Sequence, residues 1–412
     1  MSGLVALANM VSTQRAIFFR ERLSAYLAYL VVTLKKYPTA ASFSGVSDNC
    51  ILIIKQEAAM SHIEIDFIGV EAAKSGDAIT IRYEKDGVAG VHVVDGGYID
   101  TGAQVIEQLR QFYGTTRVEN VVLTHPDLDH ANGLRAVLEE CDVGTLWLNR
   151  PWLYASELID RFATYTSVDA LERKLRSVYS ASATLEEIAI RKGIPIQSPF
   201  QGSTIGIFKV LAPTKARYLD LIVESDKTPE AETSVAAESF EAIAKAFRAV
   251  ANLVKSAWGD EYFPSSGTST ENEMSVVQYA QVNGKTIVLT GDAGREALTE
   301  AADYAPYAGL SLPGIDMFQV PHHGGRHNVS TELLDRWLGT RHDAPGTYTW
   351  AAPCSSAKAD EDHPRKSVMR AMMHRGGEFA ATEGQNIAWV EGIIREGWGP
   401  VQQTPYPEEQ EE

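Results

Sequence analysis

Apolar and polar positions alternate in short runs along much of the chain, and several runs stop at a cluster of His, Asp or Gly. Alternation over 63–70, 78–83 and 91–94 predicts three strands. Residues 104–113 carry the 3.6-residue period of an amphipathic helix, and 118–124 is an apolar, β-branched strand. A helix over 131–140 turns Leu134, Val137 and Leu138 inward, and 145–148 is a further strand. Strands interleaved with helices in this way predict an α/β (α+β) layered domain. From 150 to about 193 the pattern is helical, with a strand at 205–211. An acidic loop, an Ala-rich helix over 235–258 and a Ser/Thr/Gly loop over 265–270 follow. The strand pattern resumes at 275–279, turns at Asn283-Gly284, and continues at 286–290, 317–320 and 347–352 before a helix at 366–374.

This pattern divides the chain into a core domain (60–149 and 271–399) and a largely helical insertion (150–270) that serves as a lid or an oligomer surface. Residues 1–59 are expected to be an N-terminal extension, unstructured or produced by a start codon assigned too far upstream. The Pro- and Glu-rich residues 400–412 are expected to be a disordered acidic tail. The apolar run 23–34 is too short to span a bilayer, so no transmembrane anchoring is expected, and its match to a signal peptide is poor. A net charge of −17 over 412 residues excludes a protein that coats nucleic acid or anionic membrane with its whole surface, and leaves room for a local basic groove. Three scattered cysteines (Cys50, Cys141, Cys354) make no disulfide framework and favour a reducing, cytoplasmic setting over secretion.

Candidate chemistry sits at the strand ends. The 118–124 strand runs into His125-Pro126-Asp127-Leu128-Asp129-His130. Two imidazoles and two carboxylates within one turn suit one or two ions of zinc, manganese or iron. A merely polar loop is the weaker reading, because crowded carboxylates repel one another unless a cation lies between them. Asp95, before Gly96-Gly97, is either part of a plain turn or a carboxylate that orients a ligand histidine. Further strands end at Asp292 and at His322-His323, and His363 precedes Pro364. Each is weak alone, but together they can converge on one rim of a sheet. His62, His92, His342 and His374 stand alone and read as surface or core. The Lys74-Ser75 pair lacks the second glycine of a phosphate loop, so that reading is rejected.

Taken together, HPDLDH at His125, DGG at Asp95, Asn272-Glu273-Met274-Ser275 before a strand, LTGD ending at Asp292, HHGG at His322 and the His363-Pro364 pair resemble the metallo-β-lactamase fold family. Within it they are most similar to the branch containing the hydrolase domain of ComEC-type DNA-uptake proteins, which commonly carries Asp at the position of Asp127. The resemblance implies a four-layer αββα sandwich with metals at one edge of two sheets. It implies that His125 and Asp127 hold one ion and Asp129 and His130 a second. Asp292 would bridge the two, and His322 or His323 would complete the second site. Asn272 lies nearest to where many members supply a third imidazole to the first ion, so that site is expected to be weak or empty. Ser275 belongs to the same motif. Carboxylate in place of imidazole shifts the first site from zinc towards manganese.

Two ions bridged by a carboxylate lie ~3.5–4 Å apart and hold a hydroxide available as a nucleophile near neutral pH. Asp129 and Asp292 would orient it, and His363, with whichever of His322 and His323 is not a ligand, would contact the substrate or protonate the leaving oxygen. The resemblance implies a metal-dependent phosphodiesterase acting on nucleic acid, a nucleotide or another small phosphoester. The competing expectations are a hydrolase of another small-molecule ester, lactone or thioester, and a non-catalytic binding or regulatory module of the same fold.

Overall fold

Period-two burial sorts the strands between two packed sheets. In the computed structural model, residues 61–70, 72–228 and 253–412 are described, and all of them belong to the unit Ala59–Glu412. The N-terminal extension and residues 229–252, which include most of the Ala-rich stretch at 235–258, lie outside them. The strands are β1 (His62–Phe67), β2 (Ala78–Lys85), β3 (Val88–Gly96), β4 (Arg117–Val122), β5 (Asp142–Trp147), β6 (Ile196–Gln197), β7 (Thr204–Ile205) and β8 (Phe208–Ala212). They continue with β9 (Leu253–Lys255), β10 (Val277–Val282), β11 (Lys285–Leu289), β12 (Met317–Phe318), β13 (Trp350–Cys354), β14 (Gly377–Ala381), β15 (Ile387–Glu391) and β16 (Glu409–Glu411). One seven-stranded sheet runs β15-β1-β2-β3-β4-β5-β6, and the other β14-β13-β12-β11-β10-β8-β7.

Successive residues of each strand face opposite sides. Ile79, Ile81, Val94 and Val122 from the first sheet meet Ala280, Ile287, Leu289 and Met317 from the second in the layer between the sheets. Val93, Val118 and Val121 face outward and are covered by α1 (Thr101–Gln108), by α3 (Leu134–Glu140), which follows the single turn α2 (Leu128–Ala131), and by α5 (Ser180–Lys192), which follows α4 (Val168–Val178). Beyond α6 (Lys215–Glu224) and α7 (Thr270–Glu273) come α8 (Arg295–Ala308), α9 (Thr331–Leu338) and α10 (Lys366–His374). Their apolar faces cover Tyr279, Val288, Phe318 and Phe379 on the outside of the second sheet. These layers make the expected four-layer αββα sandwich.

The topology determines where the site lies. β3 and β4 run parallel, as do β11, β12 and β13, so within each sheet their C-terminal ends open at one rim. Val276 N donates to Thr124 O at 3.1 Å, tying the rim of one sheet to the other. In doubly layered α/β sheets such carboxyl ends are where ligands bind.

Some boundaries differ from the sequence reading. The 104–113 helix is α1 continued by a π-helical turn (Leu109–Tyr113), ended by Gly114 in the left-handed region. Residues expected to form one helix at 131–140 divide at Asn132-Gly133 into α2 and α3. The 150–270 insertion does not stand apart: β6 extends the first sheet, and β7 and β8 pair into the second. Its helical part has a core of its own, built on Trp152, Leu171, Leu175, Tyr218 and Leu221. The Ala-rich helix, where described, is instead strand β9, which pairs with β16. That pairing corrects the expectation of a disordered tail: backbone bonds outweigh an acidic, Pro-rich composition once a partner strand is present. Gln410 is buried, and its side chain donates to Asp260 O at 3.0 Å. Among the described residues no helix is long and apolar enough to cross a membrane.

Candidate metal centre

Strained backbone marks the rim. Among the described residues the non-glycine positions with positive φ are Asp86, Asp95, Asn283, His322 and His323. Asp86 and Asn283 precede glycines in hairpin turns, where such φ values are ordinary. Asp95 (φ 57°), His322 (φ 49°) and His323 (φ 53°) are at the site, where strain of this kind is held by surrounding structure and aims side chains.

Four imidazoles present Nε2 towards Asp292. In each, Nδ1 meets an acceptor, which assigns its proton and leaves Nε2 free to ligate. His130 Nδ1 donates to Asp95 Oδ2 at 2.8 Å, and His323 Nδ1 to Ser355 O at 2.9 Å. His322 Nδ1 donates to Asn328 Oδ1 at 2.8 Å, and His125 Nδ1 to Thr124 Oγ1 at 3.1 Å. The Thr124 hydroxyl in turn donates to Asp95 Oδ2 at 2.6 Å, and Thr124 N to Asp95 Oδ1 at 2.8 Å. The Asp95 carboxylate therefore orients both His130 and His125.

The Nε2 atoms of His125, His130 and His323, and Oδ1 of Asp292, are buried without a hydrogen-bond partner. His130 Nε2 lies 3.3 Å from Asp292 Oδ1 and 3.9 Å from Asp129 Oδ2. His323 Nε2 lies 3.5 Å from Asp129 Oδ2 and 3.6 Å from Asp292 Oδ2. Donors about 2.0–2.1 Å from a tetrahedral ion are separated by about 3.3–3.4 Å, a spacing that His130 Nε2 and Asp292 Oδ1 meet and that the other pairs exceed by a few tenths of an ångström. Asp129, His130 and His323 form one group able to hold a metal, and Asp77, His130 and Asp292 another. In the second half of the rim His125 Nε2 is 3.8 Å from both Asp127 Oδ2 and Asp292 Oδ2.

The electrostatics also ask for a cation. Burial raises the Asp292 pKa, but the imidazoles of His130, His323 and His322 outweigh it and hold the carboxyl well below its usual range. Burial lowers His130, while Asp292, Asp95 and Asp129 overcome that and raise it well above normal. The same opposition, again with Asp292 the strongest charge, takes His323 to about 9. A divalent ion would displace those protons on binding. His125 is lowered, by burial and then by His130.

Around this core, Ser275 Oγ accepts Asp292 N at 3.2 Å, and Asn328 Nδ2 donates to Asp292 O at 2.8 Å. The His363 ring centroid is 5.4 Å from that of His322 and 6.2 Å from that of His323. Its Nδ1 faces Asp360 Oδ2 at 3.2 Å, and that oxygen also accepts Ser75 N at 3.0 Å and Ser75 Oγ at 2.8 Å. Burial, then the His322 and His323 charges, lowers His363 to about 4. Asn272 turns away into the loop before α7, its Nδ2 donating to Thr268 Oγ1 at 2.7 Å.

No family model matches this chain, and no curated protein matches it. Solved structures do. The chain is similar to metallo-β-lactamase fold proteins. The metallo-β-lactamase fold protein YhfI from Bacillus subtilis is 11% identical, covering 79% of this chain and 99% of its own, with a TM-score of 0.36. A diphosphatase of the PhnP family is 11% identical over 80% of this chain and 99% of its own, with a TM-score of 0.33. A β-lactamase domain protein from Burkholderia ambifaria is 14% identical over 61% and 73%, with a TM-score of 0.28. These likenesses concern the fold alone.

Sequence reasoning missed four members of the site. Asp77 is buried, accepts Gln319 Nε2 at 2.8 Å, and lies 3.7 Å from His323 Nδ1. Its signal was a carboxylate immediately before a strand, Gly76-Asp77-Ala78. Asn328 and Asp360 sit in turns without any distinguishing pattern. Lys227, whose Nζ is 2.9 Å from Asp127 Oδ1, came from the insertion. Burial lowers the Lys227 pKa, but Asp127 and Glu271 carry it upward overall.

Proposed function

We propose that the chain is a metal-dependent hydrolase, a phosphodiesterase acting on a nucleotide or a short single-stranded nucleic acid, of the kind the ComEC-like resemblance implies. The observation that carries this reading is the cage of Asp129, His130, Asp292 and His323, with its buried unpartnered donors, beside His363. The cage would hold a divalent ion, zinc or manganese. When bound, it supplies a nucleophile from water near neutral pH and neutralises charge developing on phosphoryl oxygens. Asp129 and Asp292 orient the attacking water through their carboxylates. His363, held at Nδ1 by Asp360, presents Nε2 to the substrate. A phosphate anion beside it favours its protonated form, from which it hands a proton to the leaving oxygen. With a net charge of −17, a small nucleotide or short strand suits the protein better than a long duplex, whose binding needs many phosphate-neutralising cations.

A panel of bis-p-nitrophenyl phosphate, cyclic nucleotides, single-stranded DNA and a lactone, with Zn²⁺ or Mn²⁺ supplied, tests the reading. Phosphodiester cleavage is expected, and its absence with every metal would sink the proposal. His363→Ala is expected to slow nucleotide cleavage by roughly 10²-fold or more. Bis-p-nitrophenyl phosphate should be affected far less, because p-nitrophenolate leaves without a proton. Equal losses on both substrates would assign His363 to binding alone.

The Asp95 contacts carry a separate expectation. Asp95→Asn keeps the side-chain shape but weakens the acceptor for His130 Nδ1–H, so metal affinity should fall about 10–100-fold. Chelator competition measures this, and an unchanged dissociation constant would show that Asp95 does not tune the imidazole.

A further inference from the structure

Resting on the hydrolase reading, we infer that this centre holds a single divalent ion, in the Asp129–His130–Asp292–His323 cage, because the Lys227 ammonium serves the other half as its cation. The two halves of the rim differ in what surrounds them. In the cage, the two imidazole Nε2 atoms lie 3.3–3.9 Å from the carboxylate oxygens, and among the described residues no Lys or Arg pairs with either carboxylate. In the other half, Asp127 directs Oδ1 to Lys227 Nζ at 2.9 Å. The same ammonium lies 3.7 Å from Oε2 of Glu271, whose side chain is only 4% exposed.

Lys227 is built into this place. It sits in a turn just after α6, where Ser225 Oγ accepts Lys227 N at 3.1 Å and donates to Glu271 Oε1 at 2.5 Å. Thr228 Oγ1 donates to Ser225 O at 2.6 Å, and Ser225 and Thr228 are both buried. Withdrawing the ammonium would leave the buried Glu271 carboxylate uncompensated, which is costly in a low-dielectric setting. A dication between His125 and Asp127 would have to share Asp127 with that ammonium and bear its repulsion at a few ångströms. The Asn272 amide, bonded to Thr268, offers it nothing, and the Asp292 carboxylate, 3.8 Å from His125 Nε2, is already shared with the cage. Asp127 is thus the counter-ion of a lysine. With its side chain half exposed, the lysine keeps a fixed positive charge at the mouth.

Counting bound metal tests this directly. The full-length protein is stripped with chelator, reloaded with Zn²⁺ or with Mn²⁺, desalted and analysed by inductively coupled plasma mass spectrometry. The wild-type protein should retain one equivalent. Lys227→Met should retain two, or show by calorimetry a second ion bound at least tenfold more tightly than any second ion of the wild type. Two equivalents in the wild type, or no gain in the variant, overturns the inference. If circular dichroism shows Lys227→Met unfolded, the double variant Lys227→Met/Glu271→Gln, which removes both buried charges, should give the same gain, and its failure to do so counts equally. One equivalent without phosphodiester cleavage defeats the catalytic reading and leaves the single ion standing. Two equivalents with cleavage does the reverse, and zero equivalents defeats both.

Discussion

Asp292→Ala is expected to abolish metal retention and to lower kcat/KM on bis-p-nitrophenyl phosphate by at least about 10³, more than the roughly 10²–10³ typical of losing one transition-state donor. Its carboxylate is the common neighbour of His125, His130, His322 and His323, at 3.8, 3.3, 3.7 and 3.6 Å. Removing it takes donor atoms from the cage and strips two raised imidazoles of their main counter-charge. Burial of unpaired charge is itself destabilising, so the variant is compared with Asp292→Asn, which keeps shape and loses only the charge. Both should lose metal in mass spectrometric counting. Full activity in either would show that hydrolysis does not run through this centre.

Gly133→Ala is expected to cost about 3 kcal/mol of folding stability, the upper range for forcing extra volume into a packed site, and to weaken metal binding with it. Gly133 joins α2 to α3 directly beneath the Asp95 turn. A Cβ there would fall 1.8 Å from Gly96 O, 2.7 Å from Gly96 C and 2.8 Å from Tyr98 O, all backbone atoms that no rotamer change can clear. Gly133 N also donates to Gly97 O at 3.0 Å, so the two segments cannot part without losing that bond. Since Asp95 orients His130, a displaced 95–98 turn misaims the imidazole as well. Thermal unfolding should show a drop of several degrees. Gly399→Ala, whose Cβ would meet nothing within 4 Å, should leave the melting temperature unchanged. A wild-type melting curve for Gly133→Ala would mean that the close approach relaxes at no cost.

Much of the architecture was legible because period-two alternation reports which strand faces are buried. The helix 366–374 and the Asn283-Gly284 turn were placed from local pattern alone, and α10 and the β10–β11 hairpin follow them. β14 and β15 were passed over. Gly-Glu-Phe-Ala-Ala and Ile-Ala-Trp-Val-Glu are short, and β15 gains its partner only by pairing with β1 from the far end of the chain. The same reason hid β9 and β16, whose residues favour a helix or a coil until they meet.

The sequence by itself placed His125 to His130, Asp292 and His322-His323 at strand ends, because those ends are predictable from local periodicity, and it passed over Asp77. It could not choose between His322 and His323. The two differ only in the folded chain, where two successive left-handed residues turn the His323 ring inward and leave the His322 side chain 28% exposed. Nor could it find Lys227, which is 100 residues from Asp127 along the chain. Local pattern encodes what each strand end carries, whereas the pairing of charges across the rim depends on distances that exist only once the insertion packs against the sheets.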